Sequence, residues 1–135
     1  MTARHRSQAL VELALGMGAL MLVLAGLVAL SVVTAAELGL VAVAEEAAHI
    51  AALAPTAADA AQQGHDRGLV VGKGYPLANG SLKVTINVEQ FGQGGHVDAT
   101  ARYTFSGRDL FLFGLSGLNL GRTHSEPIAQ HRSLP

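Results

Sequence analysis

The chain has 135 residues, of which 50% are hydrophobic and only 14% charged, with a net charge of −1 and no cysteine. This length fits one folded domain. The charge argues against a nucleic-acid binder, which would show a basic patch or stripe, and the missing cysteine excludes disulfide frameworks, thiolate zinc sites and cysteine nucleophiles.

Residues 1–7 form a short basic lead containing Arg4, His5 and Arg6. From Leu13 to Ala36 the chain carries no charge and is mostly Leu, Val, Ala, Met and Gly. A bilayer core of ~30 Å needs roughly 20 apolar residues as a helix, so this run is long enough to cross. A helix satisfies every backbone polar group within itself, as lipid requires. The basic flank predicts a cytoplasmic N-terminus and an extracytoplasmic remainder, with residues 8–36 as the spanning half of a longer helix. Thr34-Ala35-Ala36 resembles a secretory cleavage site, and a removed signal peptide is the rival reading, but signal cores of about 7–15 residues are shorter than this run.

Glu12 stands at the start of the run. An ionisable residue at the membrane calls for a functional partner. Were the chain cut between Ser7 and Gln8, the new amine on Gln8 would be a cation one helical turn from Glu12. Pairing the two, in one subunit or between neighbours, would offset the cost of holding either near lipid. Alternatively, Glu12 is an interfacial carboxylate favoured by the positive helix N-terminus. Further along, Ala14, Gly18, Ala25, Ala29 and Ala36 fall near one stripe of the helix. Small stripes let helix backbones approach closely inside membranes.

Residues 37–63 are Ala-rich and predict a helix that continues to about Ala54, with a kink or a new start at Pro55. Glu37, Glu45, Glu46 and His49 form its polar side, and Leu38, Val41, Ile50 and Leu53 are the expected cover for a sheet. From Gly64 the composition shifts towards β structure, expected over 64–128. Gly64, Gly68, Gly72, Gly74, Pro76 and Asn79-Gly80 read as turns, with Leu69 to Val71 as a short edge strand. Ser81 to Glu89 alternates, with Leu82, Val84, Ile86 and Val88 on one face. After Gly92, Gly94 and Gly95, the stretch His96 to Phe105 alternates again, with Val97, Ala99, Ala101, Tyr103 and Phe105 sharing a face. The two make an antiparallel hairpin whose dry side packs on the helix. Leu118 to Glu126 is a candidate last strand. Leu110 to Leu115 reads as core filler or as a contact patch, and residues 129–135 as a disordered tail.

The stretch from Ser7 to Leu15, Ser-Gln-Ala-Leu-Val-Glu-Leu-Ala-Leu, followed by the apolar helix, resembles the N-terminus of TadE-like pseudopilins of tight-adherence (Flp-type) pilus systems. The resemblance covers about ten residues closely. Ser7 stands where that family usually has Gly, and Leu13 where an aromatic is common. The resemblance implies that a prepilin-type peptidase cuts between Ser7 and Gln8, that Glu12 becomes position five of the mature chain, and that the chain joins other pilin or pseudopilin subunits and the pilus assembly machinery in the envelope.

No enzymatic constellation stands out. Glu46-x-x-His49 has the spacing of a di-iron helix motif but lacks its second copy and two further Glu. Gly68 to Gly74 is one residue short of a phosphate loop and has no Ser or Thr after Lys73. The expectation is an α+β chain, a long N-terminal helix packed on a small antiparallel sheet, acting without cofactor or metal as a non-enzymatic pilus-assembly subunit. The alternative is an anchored or secreted extracytoplasmic binding module unrelated to pili.

Overall fold

The computed structural model describes residues 3–77, 81–89, 91–92, 94–106 and 117–128, with side chains from residue 8 onward. The chain divides into two compact units, Met1–Val33 and Thr34–Pro135, and the first helix contributes to both.

That helix, α1, spans Ala3–Leu53. It contains no proline and consists largely of strong helix formers. Its segment from Gln8 to Leu53 includes a stretch with a mean hydropathy of 2.5 and none of it buried, long and apolar enough to cross a membrane. In the first unit the large side chains point outward throughout; Leu15 is 71% exposed and Leu22 70%. A continuous apolar surface of this kind demands lipid or partner helices.

The helix ends at Leu53, two residues before Pro55, because proline disfavours helical backbone in the residue ahead of it, here Ala54. Ala54 N–H closes the last turn on the Ala51 carbonyl at 3.2 Å. A new helix, α2, runs Ala57–Gly72. Thr56 caps it from an extended conformation: Oγ1 accepts from Asp59 N–H at 3.1 Å and donates to Asp59 Oδ2 at 2.8 Å. The break at Pro55 is thus a fresh start rather than a kink.

The extent of α2 corrects the sequence reading. Gly64, Gly68 and Gly72 are helical rather than turns, Leu69 to Val71 is not a strand, and helix continues past residue 63. Each glycine costs about 1 kcal/mol of helix propensity. At four-residue spacing, however, Ala60, Gly64, Gly68 and Gly72 form one buried face. A Cβ at Gly64 would lie 2.8 Å from the Ala47 carbonyl oxygen and 2.9 Å from the Ala51 Cβ. At Gly68 it would lie 2.9 Å from Val84 Cγ1. The glycines therefore let α2 approach α1 and the sheet at backbone distance.

Strands β1 (Leu82–Glu89), β2 (His96–Thr104) and β3 (Asn119–Pro127) form an antiparallel sheet in the order β1-β2-β3. Leu82 pairs with Tyr103 and Glu89 with His96; His96 pairs in turn with Pro127 and Thr104 with Asn119. Gly94, at φ +83°, serves the β1–β2 turn, a left-handed conformation that side chains rarely adopt. The hairpin faces are as the alternation predicts: Val84, Val97, Ala99, Ala101, Tyr103 and Phe105 are buried. Tyr103 and Phe105 meet edge to face at 4.9 Å.

The helical side of this core is mostly alanine, with Leu40 and Val43 as its larger members. Ala36, Leu40, Val43, Ala44, Ala47, Ala48 and Ala51 are all buried to at least 99%. Leu38, Val41 and Leu53, expected to cover the sheet, face outward instead, and Ile50 is only half-buried. Ala side chains allow the close approach that longer ones would prevent, so the narrow alanine face turns inward. Asn79-Gly80, Leu110 to Leu115 and residues 129–135 lie outside the described residues.

Candidate assembly site

The first helix positions Gln8 and Glu12 one turn apart on the same face, as i,i+4 spacing requires. Gln8 Nε2 donates to Glu12 Oε1 at 3.4 Å, and both side chains are exposed. Among the described residues Glu12 has no cationic partner. The Ser7–Gln8 peptide lies within the helical backbone of α1.

The small-residue stripe does not act as one unit. Ala14 and Gly18 are exposed, and a Cβ at Gly18 would meet nothing within 4 Å. Ala25 and Ala29 are half-buried. Ala36 is fully buried in the core of the second unit and is not available to a partner helix. The reason is local: Ala36 begins the inward alanine face that continues through Leu40, Ala44 and Ala48. A partner helix can therefore be offered Ala14, Gly18, Ala25 and Ala29, but not Ala36.

Beyond Ala36, α1 keeps an outward face that the sequence reading did not single out. Leu38 is 63% exposed and Leu53 54%, with Val41, Glu45 and His49 between them on the same side. The signal was present in the spacing, since 34, 38, 41, 45, 49 and 53 recur at helical intervals. What hid it was the assumption that the larger side chains must face the sheet.

Polar contacts fix the second unit around this helix. Arg67 on α2 reaches Glu46 Oε1 with Nε at 3.0 Å and Nη2 at 2.7 Å. Arg122 on β3 meets Glu37 at 3.2 Å. Glu126 lies between two imidazoles, 3.5 Å from His49 Nδ1 and 3.2 Å from His124 Nε2. The His65 Nδ1–H donates to the Val84 carbonyl at 2.9 Å and ties α2 to β1. Glu46 and His49, which share a metal-like spacing, are thus engaged with separate partners.

No family model, curated protein or solved structure matches the chain.

Proposed function

We propose that this chain is a TadE-like minor pseudopilin, a non-enzymatic subunit that a prepilin-type peptidase cuts between Ser7 and Gln8 and that then takes part in building a Tad-type pilus. In this reading Arg4 and Arg6 keep the N-terminus cytoplasmic, α1 crosses the membrane, and the β-bearing unit lies outside. The observation that carries the reading is the Gln8–Glu12 pair, set on one helical face at the start of the apolar run, with no ion-pair partner for the carboxylate among the described side chains. Cutting ahead of Gln8 would supply that cation as an α-amine. Paired with Glu12 of the same or a neighbouring subunit, it would set the axial register between adjacent helices, since an unpaired charge near lipid is costly. Ala14, Gly18, Ala25 and Ala29 would then let the partner helix come close. The outward Leu38, Val41 and Leu53 extend the apolar contact surface past the bilayer.

The test is Glu12→Ala in the native envelope. The variant should remain in the membrane after alkaline carbonate washing, yet its cross-linking to other pilin-type subunits should fall at least about tenfold, the effect of a lost charge pair of ~1.4 kcal/mol or more. Cross-linking at the wild-type level would defeat the proposed pairing.

A further inference from the structure

The outer face of the sheet, turned away from the helices, is polar, and its charge is sorted along the strands. On β1 the side chains of Lys83, Thr85, Asn87 and Glu89 stand opposite those of Arg102, Thr100, Asp98 and His96 on β2. They alternate with the buried Val84, Val97, Ala99, Ala101 and Tyr103 and therefore share the open face. One end of that face holds two cations, and the other holds the carboxylates of Glu89 and Asp98. At ~3.3 Å per residue, Lys83 and Glu89 lie about 20 Å apart on the same strand.

Among the described residues Lys83, Arg102 and Glu89 have no ion-pair partner, and all three are exposed. Lys83 and Arg102 are also directly opposed, and like charges opposed across a strand pair repel each other. Beside them the face has a hollow. Gly121 pairs with Arg102 and brings no side chain to it. Ser81, Lys83, Arg102 and Gly121 border a cavity of about 580 Å³, with no carboxylate among the described residues on its wall. At the acidic end Asp98 accepts from Ser125 Oγ and lies 3.7 Å from His96 Nε2. The two ends of the face are thus complementary to each other, and each repels its own kind.

We propose that this face docks a second copy of the chain head to tail. The Glu89 and Asp98 end of one copy rests on the Lys83 and Arg102 end of the next, with the Glu89 carboxylate in the hollow over Gly121. A copy turned to face the first about an axis along the strands, and moved four to six residues or ~13–20 Å along them, makes this match. The surfaces joined differ, so every copy keeps an end for a further neighbour and the contact propagates instead of closing on a pair. Exposed charge makes the contact weak and salt-sensitive, and copies held in one membrane supply the local concentration it needs. Neither the cut ahead of Gln8 nor the pairing of Glu12 is required.

The test is zero-length carbodiimide cross-linking of the full chain in phosphatidylcholine vesicles at low salt. Lys83 is one of two lysines, and it lies too far from Glu89 within one chain for a direct bond. The expected product joins Lys83 to Glu89 or Asp98 of another copy, in a ladder of two, three and more chains. Its yield should fall at least about fivefold in 1 M salt, where the screening length is about 3 Å. Energy transfer between dye-labelled copies reads the variants. Lys83→Glu/Arg102→Glu makes both ends acidic, and Glu89→Lys/Asp98→Asn makes both basic. Each alone should lose at least about fivefold in transfer, the scale of an exposed charge pair, and mixing the two should restore it. Restoration also shows that both variants fold. A ladder that stops at two copies marks a closed two-fold pair and overturns the head-to-tail contact. Transfer unchanged in either variant alone marks association through α1, and a mixture that stays apart removes the charge matching; both overturn the proposal. A mature start at Met1 with the ladder present would defeat the pilus reading and leave this one, whereas a start at Gln8 without the ladder would do the reverse.

Discussion

Thr56 shows how a single side chain decides where one helix ends and another begins. Pro55 stops α1, but α2 also needs an acceptor for its first unpaired N–H groups. Thr56 Oγ1 supplies it, and Asp59 answers from the first turn. Thr56→Ala should cost about 1 kcal/mol, seen as a melting temperature lower by about 4–8 °C for a unit of this size. An unchanged melt of the full chain in detergent would show that tertiary packing alone starts α2. The Glu46–Arg67 pair is weaker than its geometry suggests, because its side chains are 38% and 46% exposed. Glu46→Gln should cost less than about 1 kcal/mol, and the difference should shrink in 1 M salt, where the screening length falls to about 3 Å. Of the candidate site, Gln8 and Glu12 were legible in the sequence because a contact between residues four apart needs only a helix. The partners of Glu37, Glu46 and His49 were not, since Arg122, Arg67 and Glu126 are joined to them only by tertiary packing.

At the scale of elements, the hairpin was legible nearly residue by residue, because period-two alternation names both the strand and its buried face. The last strand was legible in its position, Asn119–Pro127, despite its polar sequence. The second helix was not. Three glycines in nine residues read as turn signals, and only the partner surface reveals them as a packing face. The prediction that separates these readings is Gly64→Ala. It gains about 1 kcal/mol of helix propensity, but its Cβ meets the Ala47 backbone oxygen, which cannot swing aside. Overpacking of this kind costs about 1–3 kcal/mol, so a net loss of about 1 kcal/mol is expected in thermal melts. A gain in stability would show that α2 can step back from α1 at little cost. Gly18→Leu reverses the logic: nothing within 4 Å resists a Cβ there, so the melt should hold while cross-linking between subunits falls. Unchanged cross-linking would remove Gly18 from the packing face. The sequence also misassigned the inner face of α1. Hydrophobicity scales favour Leu38 and Leu53 for a core, whereas the space between helix and sheet admits only alanine-sized side chains over most of its length.

For the molecule as a whole, a helix apolar on all sides leads into a small unit whose core is built from alanine, glycine and the dry side of a hairpin. Among the described residues most of the large apolar side chains left uncovered lie on α1, Leu15, Leu22, Leu38 and Leu53 among them, with Val70 on α2 a further one. In the proposed reading this helix, rather than a cleft in the sheet, is the surface for other subunits. In the proposed reading, a cut ahead of Gln8 readies this helix for assembly. The most direct measurement is the N-terminal sequence of the mature chain recovered from its native envelope. A start at Gln8 is the predicted result, whereas an intact Met1, or a start near Glu37 after removal of the apolar run, would contradict it.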